Sequence, residues 1–503
     1  MLPIVTKRRM QESDNATIES GTTARELMLH AAKGILKSYD WKGKTLIVCG
    51  VGNNAGDGYA LATLMCKANL ACEILLLTNR FSNDGQYYFD ICKKMGIVHT
   101  LWNGSFDFSS YQQIVDCIFG IGFRGPLEED AASLIQAINQ SGKPVISADI
   151  NSGLGADNGL GTPCIHSDLT VAIQDFKPGH FLARAKDVIE KRACIDIGIQ
   201  TPREDIFLLE DYDVANLFVS RQNYAHKGNY GYVAIIGGCV EYAGAAKLAN
   251  MSAAALRVGC GVVTLAVPNS ITQSVAPYLL ESTLLQIPSD ERGKMIFSQE
   301  ILDGILSRYA SVAIGMGWGN SESYKEILAY LLKQAHQPII IDADGLNTLS
   351  KMDLGLLKEA KAPIILTPHL MEFSRLSGFS IAEIESDPIT HAKAFANEYG
   401  VIVLLKGCTT VVTDGKTVYL SNRGSAGMAT AGSGDVLSGV LAGLCGYCEP
   451  NVYMVAAGAY LAGMAGELAQ KKQGSVSMIA SDTVHELANA MLILTDSQKY
   501  LKK

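Results

Sequence analysis

Asp435 follows a crowd of glycines in Arg423-Gly-Ser-Ala-Gly-Met-Ala-Thr-Ala-Gly-Ser-Gly-Asp-Val-Leu-Ser-Gly439, and apolar residues at helical spacing (Val436, Leu437, Val440, Leu441, Leu444) come directly after it. A glycine-rich turn feeding a helix leaves the first backbone N–H groups unpaired and points the positive end of the helix dipole outward. Such a turn is a place for a phosphate. Asp435, in the first turn, is close enough to that anion to remove a proton from a hydroxyl attacking it. A tight loop whose Asp only caps the helix would carry the same residues. Other strand ends offer charge. Lys406 could neutralise a transferring phosphate. His369 with Glu372 has the one-turn spacing of a metal pair, without an obvious third ligand. Asp342 and Asp344 could equally cap the helix beginning near Leu346.

The N-terminal half carries a second set. Thr45-Leu-Ile-Val-Cys49 runs into Gly50-Val-Gly52-Asn-Asn-Ala55-Gly-Asp-Gly58, and Gly50-x-Gly52-x-x-Ala55 matches the weak fingerprint of dinucleotide loops. The next apolar run, Cys72 to Leu77, ends in Thr78-Asn79-Arg80, with no acid placed for a ribose, and Glu73 lies at its wrong end. That counts against a nicotinamide dehydrogenase. Asn54, Asp116 and Ser152 are hard oxygen ligands of low total charge, suited to a monovalent cation, although each taken singly also suits a turn.

These residues need scaffolding that brings loop ends together. In the first half, Ile114 to Ile118, Val145 to Ala148 and Leu169 to Ile173 are further short apolar runs. In the second, Tyr232 to Ile236, Ala310 to Ile314, Pro338 to Ile341, Ile364 to Leu366 and Val401 to Leu405 each end in a polar or glycine-bearing turn before helical spacing resumes. That alternation predicts α/β architecture, with parallel strands covered on both faces and functional residues at their carboxyl ends. Before the first strand, Leu27, Met28, Ala31, Ala32, Ile35 and Leu36 share a helix face after Ser20-Gly-Thr-Thr. After the first of these runs in the second half, helical spacing is also expected at Leu248, Met251, Ala255, Leu256 and Val258.

A chain of 503 residues is too long for one ordinary core. The mixed, charged segment Thr201 to Asn223 is the expected boundary, giving domains at 1–210 and 220–500. A net charge of −8 and a pI near 5.7 argue against a nucleic-acid surface, and Lys7-Arg8-Arg9 and Lys502-Lys503 are short, solvated clusters. Val452 to Gly466 is apolar but short of the ~20 residues of a membrane span, and reads as a buried Ala/Gly-rich helix that could pack in a homo-oligomer. Twelve cysteines without framework spacing, Cys445-Gly-Tyr-Cys448 included, fit a reducing cytoplasm. No GxxxxGK[ST] is present, which excludes a P-loop NTPase.

Gly52-Asn-Asn-Ala-Gly-Asp-Gly58, Val115-Asp-Cys-Ile-Phe-Gly-Ile-Gly122 and Ala148-Asp-Ile-Asn-Ser-Gly-Leu154 together resemble the NAD(P)H-hydrate epimerase family over residues 1 to 205. The resemblance implies a Rossmann-like three-layer sandwich. It implies that Asn53, Asn54, Ala55, Gly56 and Asp57, with Gly120, Ile121, Gly122, Phe123, Arg124, Gly125 and Pro126, contact a hydrated nicotinamide nucleotide. Asn54, Asp116 and Ser152 would hold potassium, and Asp149 would be the acid/base. Ala55 stands for a usual Gly, Asn151 for a usual Pro, and Leu29-His30 departs from a usual Met-Glu.

From 220 to 495, Gly237-Gly with Ala243-Gly-Ala245, Asp342-Ala-Asp-Gly-Leu-Asn347, Leu366-Thr-Pro-His369, Glu372, Leu405-Lys-Gly407 and Met428-Ala-Thr-Ala-Gly-Ser-Gly-Asp-Val-Leu437 resemble the nucleotide-dependent NAD(P)H-hydrate dehydratases of the ribokinase-like superfamily. This implies a doubly wound α/β domain using ADP or ATP with magnesium. Ala245, Gly317, His369 and Asp435 would contact the hydrate. Lys406, Gly407, Cys408, Thr409 and Thr410, with Gly432, Ser433 and Gly434, would contact the adenine nucleotide, and Asp435 would be the base. Met316, Trp318 and Leu370-Met371 depart from the family's usual residues. The expected partners are the hydrates of NADH and NADPH and the nucleotide, with neither nucleic acid nor membrane. A kinase of a small vitamin alcohol, with the first half as a binding module or interaction scaffold, is the rival reading.

Overall fold

Runs of three to seven apolar residues, many of them β-branched, are too short for buried helices and suit strands shielded on both faces. In the computed structural model, which describes residues 1–218, 221–254 and 257–501, they are strands of two sheets. Val219, Ser220, Ala255, Leu256 and Lys502-Lys503 lie outside the described residues. The chain divides into two compact units, Pro3–Glu204 and Asp205–Lys503 with Met1–Leu2.

A two-residue strand, β1 (Leu2–Pro3), opens the chain. The N-terminal unit is a parallel sheet of β2 (Thr45–Cys49), β3 (Cys72–Leu76), β4 (His99–Leu101), β5 (Gln113–Cys117), β6 (Val145–Ala148), β7 (Ser167–Ile173) and β8 (Ile189–Ile195). Their order is β4-β3-β2-β5-β6-β7-β8, so the direction of winding reverses between β2 and β5, where an open sheet parts its loops into a crevice. Alternate residues of β2 enter opposite layers. Ile47 and Cys49 pack with Met28, Ala32 and Ile35 of the helix Ala24–Lys37; Leu46 and Val48 pack with Leu134, Ile135 and Ile138 of the helix Glu129–Gln140. Ahead of the first of these helices, Lys7–Glu19 forms a separate helix. The break falls at Ser20-Gly-Thr-Thr, where Thr23 and Glu26 make a reciprocal capping box.

The second unit holds β9 (Ile206–Leu208), β10 (Tyr232–Ile236), β11 (Val262–Pro268), β12 (Thr283–Ile287), β13 (Ser311–Ile314), β14 (Ile339–Ile341), β15 (Ile364–Leu366), β16 (Ile402–Leu405), β17 (Thr410–Thr413) and β18 (Val418–Ser421). The order is β1-β9-β18-β17-β16-β15-β14-β13-β10-β11-β12. Strands β10 to β16 are parallel, while β16, β17 and β18 form an antiparallel meander. The connecting segment is not structureless: Ile206–Leu208 pairs with Val418–Leu420 at the sheet edge. The apolar stretch from Val452 extends to Gln473 as a 22-residue helix, 83% of whose most apolar window is buried in its own unit. Its apolar surface is therefore largely spent on the intramolecular core.

Candidate active sites

At the carboxyl end of β2, Gly50 is forced by proximity: a Cβ there would lie 2.2 Å from Ile118 O in the loop after β5. The helix Asn53–Lys67 starts three residues later with Gly52 as an N-cap that offers no side-chain bond, so its first N–H groups are open to the crevice. Asn54 Nδ2 donates to Ala148 O (3.2 Å), whereas its Oδ1 is buried without a partner. Asp116, fully buried, accepts from Ser147 Oγ (2.9 Å), Ser152 N (2.9 Å), Ser152 Oγ (2.5 Å) and Ile118 N (3.2 Å). It stitches β5 to the loop after β6, and no cationic side chain pairs with it among the described residues. Burial pushes its carboxyl up against these hydrogen bonds.

Asp149, directly after β6, has φ 65, with Ile150 N donating to Ala148 O (2.9 Å) across it. A non-glycine residue held there stores about 1–3 kcal/mol of strain. The turn aims the carboxylate at Lys177 Nζ (2.8 Å) and at Ile121 N (2.9 Å). Lys177 is 1% exposed, and its ammonium also donates to Ile173 O (2.8 Å). Burial drives the Asp149 carboxyl up, but the Lys177 ammonium and the Ile121 N–H outweigh it, so the group lies below the ordinary carboxylate range. His180 accepts from Lys177 N at Nδ1 (2.9 Å) and donates from Nε2 to Asp149 O (2.7 Å). Burial, then Lys177, lowers it to about 4, which keeps the ring neutral. Asp14 and Asp57 face the same cleft with carboxyls raised by burial and by the Asp149 charge.

This cleft, of about 1000 Å³, is lined by Asn53, Asn54, Asp57, Gly120, Ile121, Gly122, Phe123, Arg124, Pro126 and Asp149. Ala55, Gly56 and Gly125 are not on its wall. Ala55 packs in the core, and a Cβ on Gly56 would press on Met28 Sδ at 2.7 Å. Lys177, His180 and Asp14 escaped the sequence reading. The first two follow β7 and so also stand at a strand's carboxyl end, but Gln174-Asp-Phe-Lys177 carries no glycine turn or motif that would mark them.

In the second unit, β14, β15 and β16 deliver Asp342, His369 and Lys406 side by side. Lys406 N donates to Pro368 O (2.8 Å), and Lys406 Nζ lies 2.8 Å from Asp342 Oδ1 and 3.7 Å from Glu372 Oε2. Burial lowers the ammonium, but Asp342 and Glu372 more than restore it. Ser438 Oγ donates to Asp342 Oδ2 (2.6 Å), which ties β14 to the helix Ser433–Cys445. That helix begins at Gly432, whose φ of 94 turns the glycine loop into the first turn. A Cβ on Gly434 would lie 3.4 Å from Lys406 Nζ, so the helix start and the ammonium adjoin. Burial and the Asp342 carboxylate push Asp435 up to about 7, against the pull of Lys406.

Asp342 and Asp344 do not cap the helix Asp344–Leu349, whose N-cap is Ala343 without a side-chain bond. Asp342 is held by Lys406 and Ser438, and Asp344 accepts from Gly319 N (2.7 Å). Likewise His369 and Glu372 are no metal pair. His369 Nδ1 accepts from Met371 N and Glu372 N, and Glu372 Oε2 accepts from His369 N. They close a reciprocal helix cap beside Lys406.

Ala245, Gly317 and Asp435 line one cleft of about 1060 Å³; His369 is not on its wall. Gly317 has φ 66, and a Cβ on it would meet Tyr242 O at 2.6 Å. Gly407 and Cys408 form the exposed turn between β16 and β17, Thr409 Oγ1 donates to Asn422 Oδ1 (3.0 Å), and Thr410 opens β17. Ser433 Oγ donates to Met428 O (2.8 Å). Upstream, the glycine loop is fastened to the helix Val452–Gln473: Gly424 N donates to Glu467 Oε1 (2.9 Å) and Gly427 N to Gln470 Oε1 (2.8 Å).

A family profile for NAD(P)H-hydrate dehydratase matches residues 233–489, and one for the YjeF-related protein N-terminus matches 24–179. A relative from Moorella thermoacetica, called a bifunctional NAD(P)H-hydrate repair enzyme, is 35% identical over 87% of this chain and 86% of its own. One of the same description from Archaeoglobus fulgidus is 32% identical over 98% of this chain and 99% of its own. The chain belongs to the bifunctional NAD(P)H-hydrate repair family. A ribokinase-like superfamily protein of Enterococcus faecalis V583, 22% identical with a TM-score of 0.50, covers 59% of this chain and 98% of its own, a likeness of fold.

Within the repair family, this chain's departures have local compensation. Ala55 sits inside the helix Asn53–Lys67 at ordinary φ, so the position does not demand glycine. Asn151 is fully buried and its Nδ2 donates to Ile165 O (2.9 Å), Ser167 Oγ (2.9 Å) and Val188 O (3.2 Å), while Thr170 Oγ1 donates to its Oδ1. Trp318 is buried and stacks on Tyr324 at 4.6 Å.

Proposed function

We propose that this chain repairs hydrated NADH and NADPH, the N-terminal unit interconverting the R and S hydrates and the C-terminal unit dehydrating the S form with ADP or ATP. The observation that carries the reading is a pair of aspartates tuned in opposite directions: buried Asp149 held ionised by Lys177, and half-buried Asp435 raised to about 7 beside the Gly432–Gly434 turn. Environments that separate two acids in this way assign their tasks.

At the first site, the hydrate is a hemiaminal at C6. It inverts by opening, which needs a base at its hydroxyl, and by closing on the other face, which returns the proton. The Asp149 carboxylate takes and returns that proton, with Lys177 and Ile121 N–H fixing its position. The donor set suits potassium: Asn54 Oδ1 is buried without a partner, and Asp116 is a fully buried carboxyl with no cationic side chain paired to it among the described residues. Asn54, Asp116 and Ser152 would hold the ion, which would supply a fixed positive charge. At the second site, Asp435 accepts the proton of the 6-hydroxyl as its oxygen attacks the terminal phosphate of the nucleotide. The N–H groups at Gly432, Ser433 and Gly434 and the Lys406 ammonium stabilise the transferring phosphoryl group. The ring nitrogen then expels phosphate, and loss of a C5 proton restores the reduced ring. Among the described residues no cluster of three His, Cys, Asp or Glu side chains forms a metal cage. Magnesium therefore fits here as a companion of the nucleotide phosphates, its usual mode.

The test is absorbance at 340 nm on mixed R and S hydrate with ADP or ATP and magnesium. Full recovery from both epimers is expected. Asp149→Asn should recover only the S fraction quickly, and Asp435→Asn neither. Recovery with neither nucleotide in the unaltered chain would overturn the reading.

A further inference from the structure

The N-terminal cleft is longer than the reaction needs. Its wall runs from Asp149 and Lys177 to Thr78, Asn79 and Arg80. These ends sit on β6 and β3, three strand spacings apart across β5 and β2, or about 14 Å. That is the span of an extended dinucleotide, not of a nicotinamide ring. Between the ends lies the start of the helix Asn53–Lys67, whose open N–H groups suit a pyrophosphate. With the reacting ring at Asp149, the adenosine half is directed along the sheet edge to the carboxyl end of β3.

In dinucleotide folds that position selects the ribose substituent: an acid there binds a free 2′-hydroxyl, and an arginine admits a 2′-phosphate. Leu77-Thr78-Asn79-Arg80 holds no acid. Glu73 lies toward the other end of the strand, bound to Lys44 at 2.8 Å. Asp84, the acid nearest Arg80 in the chain, is taken by Arg25 at 2.9 Å. Arg80 is exposed on the cleft wall and makes no ion pair among the described residues. Thr78 and Asn79 add a hydroxyl and an amide to the same wall.

We propose that Arg80 receives the adenosine 2′-phosphate, so that the N-terminal unit favours the hydrate of NADPH over that of NADH. The proposal rests on the epimerase reading of this cleft. A guanidinium–phosphate contact is directional and charge-assisted, and its loss falls on the phosphorylated substrate alone.

The test is Arg80→Gln and Arg80→Lys in the full chain, following R-to-S conversion of each hydrate by chromatography without nucleotide, so that the dehydratase is idle. For Arg80→Gln, the ratio of kcat/KM for NADPH hydrate over NADH hydrate should fall about tenfold, with NADH hydrate nearly unchanged. Arg80→Lys, keeping the charge but not the fork, should fall between. A ratio within twofold of the unaltered chain, or an equal loss on both substrates, would overturn the proposal and leave the epimerase reading standing. A second readout does not need turnover: calorimetric titration of 2′,5′-ADP against 5′-AMP, with ADP saturating the second unit. Weaker 2′,5′-ADP binding by Arg80→Gln at unchanged 5′-AMP affinity supports the site even if no epimerisation is found. Unchanged binding of both overturns it.

Discussion

Asp149 is a buried acid at a strand end and Asp435 a half-buried one in the first turn of a helix, and what separates them is the sign of the charge that weighs most on each. Lys177 stands against Asp149; Asp342 stands beside Asp435. Removing the cation should therefore do more than remove a contact. Lys177→Met would leave a buried carboxylate unpaired, costing about 3–5 kcal/mol of stability. It should also carry the acidic limb of the epimerase pH profile upward, which denaturant melts and pH–rate curves would detect separately. Asp435 works in the other direction. Its carboxyl is raised in the folded protein, so the stability it contributes is present below the ordinary 3.8 and lost as pH rises through about 7. Asp435→Asn, permanently neutral, should melt higher than the unaltered chain at pH 8, by a margin that vanishes toward pH 4. The same variant should lose about 10²–10⁴-fold in dehydratase kcat. In the unaltered chain, dehydration should slow as pH falls through about 7, because the base becomes protonated.

At the scale of elements, the strand-end logic was legible where an apolar run met a polar turn. It puts Asp149, Asp342 and Lys406 at strand ends, because parallel strands bring their carboxyl ends to one edge. It could not show side-chain direction. Nothing in Gly52-Asn-Asn-Ala-Gly-Asp-Gly58 says that the helix has begun by Asn53, so that Ala55 turns into the core while Asn54 and Asp57 face the cleft. Nor does spacing distinguish a reciprocal cap from a metal pair at His369 and Glu372. Lys177 is 28 residues from Asp149 in sequence, beyond any local pattern. Substitutions toward the family's usual residues test this reading. Ala55→Gly should destabilise by about 0.5–1 kcal/mol through helix entropy, with no gain in epimerase rate. Asn151→Pro should cost more, since three acceptors lose a buried amide donor. Thermal melts of both variants with a 340 nm assay would decide, and a more active Ala55→Gly would contradict the account.

For the molecule as a whole, each unit carries its own acid, its own charge partner and its own cleft, within its own sheet. The two chemistries should therefore be separable by single substitutions in the intact chain. Asp435→Asn should still equilibrate R and S hydrate at the unaltered rate, and Asp149→Asn should dehydrate pure S hydrate at the unaltered rate. Loss of both activities in either variant would show a dependence that the separate sites do not provide.

The fastening of Gly424 and Gly427 to Glu467 and Gln470 divides the glycine loop into two halves of unlike exchange behaviour. Those two amides donate to side chains of a buried helix and should trade hydrogen for deuterium slowly, like strand amides. The amides of Gly434 and Asp435, which a helix start leaves open, should trade quickly until a nucleotide phosphate covers them. Bound nucleotide would then register as new protection confined to the downstream half, while the upstream half is already silent in the empty enzyme.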